Sequence, residues 1–273
     1  MAIPANFKGT AARLTDIDLP RVGAKIGVGE DEIHAVMEVE SRGYGFDKQG
    51  RPLPLFEPHV FYRELGPGAK RNAAVRAGLA YFGWKPGQYP DDSYPRILAA
   101  MAIDRVAALR STSWGLGQVM GFNHIAAGYG TVEAFVAAMC ESEGNQLDAM
   151  ISFIKTNRLD DEIRDHNWTK FALGYNGTDY RKNDYDGRLA RAFARWKRIP
   201  DTKWTPELAM RESAGHGEII GDARRPSVNV SKPVTPAALP PPPDIPKPMP
   251  PAPAPRKGFW SWLGSAFTPK QKD

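Results

Sequence analysis

A single cysteine, Cys140, rules out an intrachain disulfide and any cysteine-based zinc site. It sits in an alanine- and methionine-rich stretch and reads as a small core residue. The five histidines, His34, His59, His124, His166 and His216, are scattered, and no HExxH spacing is present. No apolar run approaches the roughly 20 residues that cross a bilayer. The opening MAIPANFKGTAARLTDIDL lacks the continuous apolar stretch of a signal peptide, so the chain is expected to be made in the cytoplasm without one. Neither sign of charge is in large excess. The net charge is +5, and residues from Asp201 onward hold ten Lys/Arg against seven Asp/Glu, which places +3 of it there. The remainder is almost neutral. That argues against a nucleic-acid-binding domain, in which basic residues cluster on one face. Mild basicity suits an acidic polymer such as a bacterial cell wall.

Proline is plentiful but unevenly placed. Of 25 prolines, 13 fall in residues 226–255. This predicts a body over residues 1–200, a transition with a short helix over 201–225, an extended polyproline-like linker over 226–255 and a final segment over 256–273. The body reads as mainly α (α+β), with helices expected at about 16–26, 31–41, 58–65, 70–82, 93–109, 116–127, 131–156, 159–166, 168–175 and 183–198. Thr131 can cap the longest of these. Thr205 and Pro206 can start a last helix that Gly215 stops. Only residues 46–58, FDKQGRPLPLFEP, look extended. There a Gln49-Gly50 turn separates two short runs, predicting a small edge hairpin.

The stretch EVESRGYGF, residues 38–46, places two glutamates close together. On a helix over 31–41, Ile33, Val36, Met37 and Glu40 share one face. Glu38 points about 140° from Ile33, toward solvent. Glu40 therefore ends an apolar stripe, where desolvation raises a carboxyl pKa and suits it to general acid work. A glutamate snorkelling at a helix end is the alternative. In LPLFE, alternation puts Glu57 on the side of Leu53 and Leu55, a second carboxylate on a mainly apolar face. Two carboxylates across a cleft equip a site for glycoside hydrolysis. A structural ion pair of Glu57 with Arg42, Arg51 or Arg63 is the competing reading. His59 stands near enough in sequence to tune Glu57, although a capping or surface position suits it better. In SWGLGQVMG, residues 113–121, glycines permit close backbone approach, Gln118 can donate and accept, and Trp114 offers a stacking surface. In FALGYNG, a helix ends with Tyr175 and Asn176 presented beside Gly177.

Taken in order, Glu-Ser, Gly-Leu-x-Gln and Tyr-Asn resemble the lysozyme superfamily of goose-type lysozymes and soluble lytic transglycosylases. More closely, EVESRGYGF, GRPLPLFEPHVFYREL, SWGLGQVMGFNHIAAGY and WTKFALGYNGTDY resemble the N-acetylmuramidase domain of bacteriophage and prophage endolysins, over about residues 12–198. The resemblance implies a mostly α lysozyme-like fold that cleaves the β-1,4 bond between N-acetylmuramic acid and N-acetylglucosamine, with no metal or cofactor. It puts Glu40 in the general-acid position and Glu57 in that of the second carboxylate. Ser41, Gln118, Tyr175 and Asn176 match positions that line the groove or orient the acid, with Tyr62 a weaker member of the same wall. With Glu57 as base the reaction inverts. With Glu40 alone, a transglycosylase-like closure of the 6-hydroxyl onto C1 is the alternative.

The tail falls outside the resemblance. Phe259, Trp260, Leu263 and Phe267 keep helix-compatible spacing, with Trp262 nearby and basic residues on both sides. This resembles an interfacial anchor for membrane or lipopolysaccharide. A partner-docking tip and a tail folded back on the body are the alternatives. The whole predicts a monomeric lysis enzyme released through a holin and acting on peptidoglycan. A virion-borne or effector enzyme and a non-catalytic peptidoglycan-binding module remain the other readings.

Overall fold

The computed structural model describes residues 2–41, 43–83 and 89–215. The linker, the terminal aromatic segment and His216 lie outside these. The helices run α1 (Asp18–Ile26), α2 (Glu30–Glu40), α3 (Pro58–Glu64), α4 (Ala69–Arg76), α5 (Tyr94–Ile103) and α6 (Arg105–Arg110). They continue as α7 (Val132–Glu141), α8 (Glu143–Thr156), α9 (Asp160–Arg164), α10 (Trp168–Asn176), α11 (Tyr185–Trp196) and α12 (Pro206–Ser213). Three strands, β1 (Pro54–Phe56), β2 (Thr112–Trp114) and β3 (Val119–Met120), form an antiparallel sheet in that order. The fold is mostly helical with one small sheet, as the sequence predicts.

The longest apolar stripe supplies the centre. Phe135 and Met139 of α7, with Leu147, Met150 and Ile154 of α8, are all at most 1% exposed. Burial of each such side chain contributes about 1.5–3 kcal/mol. Thr131 caps α7 by accepting from the Ala134 amide at 3.1 Å. The expected single helix over 131–156 is in fact two. Ser142 is extended, bridges to Ala12, and its Oγ accepts from the Asn145 amide at 3.0 Å to start α8.

Other differences have similar local causes. The stretch 93–109 breaks at Asp104, whose carboxylate caps α6 through the Ala107 amide at 2.9 Å. The helix expected to reach 82 stops at Arg76, just before Gly78 turns left-handed at φ 69°. Residues 116–127 are not an α-helix. Gly115 and Gln118 both have positive φ (68° and 48°), closing a β2–β3 hairpin that leads into a short 3-10 turn at Gly121–Asn123. In the 46–58 stretch, only Phe46 and Pro52 pair across the Gln49-Gly50 turn. The second run becomes β1 and pairs with β2, Leu55 opposite Ser113, because a distant strand offers a longer ladder than its own neighbour.

Candidate active site

Helix α2 carries the first carboxylate. Ile33, Val36 and Met37 are buried, and Glu40 follows them at the C-terminal end. The opposite face packs against α11, where Glu38 pairs with Arg195 and accepts from Trp196 Nε1 at 2.9 Å. The two glutamates are thus separated as helical periodicity requires: Glu38 is anchored outside and Glu40 points inward.

Glu40 opens into a cavity of about 280 Å³, at the lower end of the range typical of small-ligand sites. Tyr175 and Asn176 of α10 and Tyr185 of α11 form one wall. Gly117, Gln118, Val119 and Met120 of the β2–β3 hairpin form another, with Asn123 and Phe153 completing it. Asn176 Nδ2 donates to Glu40 Oε1 at 2.9 Å. Burial pushes the Glu40 carboxyl up to about 7, against the opposing pull of the Asn176 amide and the Arg188 charge. Near neutral pH the group therefore holds a proton for a large fraction of the time. The Tyr175 and Tyr185 phenols are raised by burial first and by the Glu40 charge second.

The hairpin and the loop after α2 are each fixed by a buried polar residue of α8, Gln146 and Glu143 respectively. Gln146 Oε1 accepts from the Leu116 amide at 2.7 Å, and its Nε2 donates to Met139 O at 2.9 Å. Glu143 accepts from the Gly45 amide at 2.8 Å and the Leu14 amide at 3.1 Å, and pairs with Arg13 at 3.3 Å. The loop after α2 and the hairpin beside the cavity are thereby tied to one helix. The fit requires glycine: a Cβ at Gly115 would stand 2.5 Å from Gln146 Cδ, and one at Gly45 only 1.9 Å from Gln146 Oε1.

The residues named from the sequence divide into two groups. Glu40, Gln118, Tyr175 and Asn176 share the cavity. Gln118 lines it with an amide already engaged, donating to Gly115 O at 2.8 Å and Leu53 O at 3.1 Å and accepting from Ser113 Oγ at 3.0 Å. Tyr175 donates to Gly117 O at 3.3 Å, joining α10 to the hairpin. The others lie elsewhere. Trp114 is a correction: it is fully buried, stacks on Phe7 at 5.5 Å and donates to Leu109 O at 3.2 Å, so it offers no face to a ligand. Ser41 Oγ accepts from the Gly43 amide at 3.1 Å and tightens the loop after α2. Tyr62 packs edge-on to Phe82 at 5.9 Å and lies under the Arg71 guanidinium at 4.2 Å, off the cavity wall.

Glu57 occupies the junction of β1 and α3, immediately before Pro58. Its amide donates to Ser111 O at 2.9 Å, fixing it against the end of β2. The side chain is 16% exposed and accepts from the Tyr89 hydroxyl at 2.6 Å, with His59 Nδ1 at 3.3 Å. It is not on the wall of the Glu40 cavity. Arg51, one of the three structural partners considered from sequence, is instead committed to Asp47 at 2.7 Å and Asp92 at 3.3 Å.

Sequence reasoning missed Phe153, Asn123, Tyr185 and the Glu143/Gln146 pair. The last had a signal, since both are polar residues interrupting the apolar period of the predicted 131–156 helix. One carboxylate cluster with metal-like spacing occurs among the described residues: Asp31, Glu32 and Asp201, whose oxygens lie within 4.8 Å. It stands at the opposite end of α2 from Glu40. Asp31 is pushed up by burial and then by Glu32.

A family model described as N-acetylmuramidase matches residues 30–197, a span that includes every cavity residue. The chain belongs to the N-acetylmuramidase family. This muramidase is a glycoside hydrolase acting on peptidoglycan. It is similar to the crystal structure of Burkholderia AP3 phage endolysin, with 42% identity and a TM-score of 0.63 over 68% of this chain and 73% of that one. No curated protein matches it. Among the described residues no helix is long and apolar enough to cross a membrane.

Proposed function

We propose that this muramidase is an endolysin that hydrolyses the β-1,4 bond between N-acetylmuramic acid and N-acetylglucosamine with inversion, Glu40 acting as general acid and Glu57 as base. The observation that carries the reading is the Glu40 carboxyl, set in the cavity beside Asn176 and raised to about 7 by burial. Such a group can deliver a proton at neutral pH. In the reaction, Glu57 takes a proton from water as the water oxygen bonds to C1. The C1–O4 bond breaks, and the Glu40 proton passes to the departing O4. Tyr175 and Asn176 hold the glycan and the acid in register, while Gln118 shapes the hairpin wall.

One observation favours the second reading, a transglycosylase using Glu40 alone: Glu57 stands off the wall of the Glu40 cavity. Mass spectrometry of fragments from digested peptidoglycan separates the two. Hydrolysis gives reducible muramic-acid ends that vanish in both Glu40→Gln and Glu57→Gln. Anhydro ends that persist in Glu57→Gln would establish the transglycosylase instead.

We further propose that the catalytic body ends near residue 200 and acts as a monomer with no nucleic-acid partner, released to the wall through a holin. The segment bearing Phe259, Trp260, Trp262, Leu263 and Phe267 then contacts membrane or lipopolysaccharide. Cosedimentation of the full chain, and of a chain truncated after residue 255, with lipopolysaccharide vesicles tests that contact. Equal partition of the two proteins would remove it.

A further inference from the structure

The machinery around Glu57 comes from parts of the chain far apart in sequence. Tyr89 reaches it from the loop before α5 and donates to Oε2 at 2.6 Å, a length typical of a charge-assisted O–H···O bond. His59, on the first turn of α3, brings Nδ1 to 3.3 Å of the same oxygen. That nitrogen is shielded from solvent and makes no hydrogen bond of normal geometry among the described residues. Tyr81 feels the Glu57 charge and is influenced in turn by Arg96. Both close contacts fall on Oε2. Among the described residues, no side chain hydrogen-bonds Oε1 of Glu57.

We infer that Tyr89 is a positioning residue for the base: its hydroxyl, with His59 alongside, fixes Oε2 and turns Oε1 toward the attacking water. The inference rests on the assignment of Glu57 as base and deepens it. A donor to a carboxylate favours the ionised form, which is the form a base requires. A planar carboxylate held at one oxygen, at the end of a strand whose own amide is pinned to Ser111, has little freedom left. Tyr89 thereby acts on the reaction through Glu57.

The test uses the full chain acting on soluble glycan strands from peptidoglycan, with Tyr89→Phe, His59→Gln and Glu57→Gln compared with wild type. Loss of a hydrogen bond to a charged group predicts a fall in kcat of about ten- to hundredfold for Tyr89→Phe. KM should stay unchanged, and the acid limb of the kcat/KM profile should move to higher pH. The titratable and charged groups near Glu57 are Tyr89, His59 and Tyr81, the last also within reach of the Arg96 charge. His59→Gln should lower kcat less. The inference is overturned if Tyr89→Phe matches wild type in kcat and in its acid limb. It is equally overturned if kcat falls only in step with melting temperature and the limb stays in place. Full activity in Glu57→Gln would sink the base assignment itself, whereas an inactive Glu57→Gln beside an unaltered Tyr89→Phe would sink only the role of Tyr89.

Discussion

Replacing Glu40 by glutamine should make the protein more stable, and by an amount that depends on pH. The carboxyl titrates at about 7 in the fold against an ordinary 4.5. Between those values the folded state keeps a proton that the unfolded chain has released, so stability falls as pH rises from 4.5 through about 7 and levels off above. A gap of about 2.5 pH units, at about 1.4 kcal/mol each, sets an upper figure of about 3.5 kcal/mol. The carboxyl retains some solvent contact, which brings the expected value nearer to 2 kcal/mol. Glutamine keeps the shape, offers its carbonyl oxygen to Asn176 and never ionises. In a body of this size, 1 kcal/mol corresponds to about 2–4 °C in Tm. The variant should therefore melt about 4–8 °C above wild type at pH 8 and within about 2 °C of it at pH 4. Thermal melts of both proteins at unit steps across that range provide the assay. A Tm difference that does not change with pH would refute the claim that Glu40 is ionised at a cost, and so would a variant less stable at pH 8.

Other perturbations have equally definite outcomes. Asn176→Ala removes a donor that favours ionised Glu40, so the alkaline limb of the pH–rate profile should rise by about one unit; a limb that stays or falls would contradict the role given to Asn176. Gln146→Leu strands the Leu116 amide and loosens both the hairpin and the loop at Gly45. It should cost about 2–4 kcal/mol in denaturant unfolding and lower activity as well, and an unchanged midpoint would show that the pair is dispensable. Helix α12 has no buried residue and is tied down by Arg211–Asp16 at 3.1 Å and Arg21–Glu212 at 3.0 Å. In about 1 M salt, where the Debye length shrinks to about 3 Å, trypsin should cut after Lys203 faster than in dilute buffer. Cleavage independent of salt would mean that something other than these ion pairs holds the helix.

The helices were legible where a cap meets an apolar stripe, as at Thr131, or a first-turn proline and a stop glycine, as at Thr205, since these signals are local. Breaks were harder to see. Ser142 and Asp104 look unremarkable within helical runs, and only a tertiary partner, such as Ala12 across from Ser142, shows why the chain straightens there. The hairpin was read in the wrong place because the Gln49-Gly50 turn is a local signal while the β1–β2 pairing spans more than fifty residues. At the site, Glu40 could be chosen over Glu38 from periodicity alone, because a helix face is fixed by spacing. Trp114 misled for the opposite reason: a tryptophan beside glycines fits a stacking platform or a core plug equally well, and only packing decides. Tyr89, Gln146 and Glu143 act through side-chain contacts that span long stretches of sequence, which no motif records.

The most direct test of the two-carboxylate account is the configuration of the first product. Proton NMR of soluble glycan strands, recorded at once after addition of enzyme, follows the anomeric signal of the newly released N-acetylmuramic acid end. Direct attack by water activated at Glu57 predicts the α-anomer first, with the β-anomer growing in only by mutarotation. Appearance of the β-anomer first, or of an anhydro end with no anomeric hydroxyl, would contradict it.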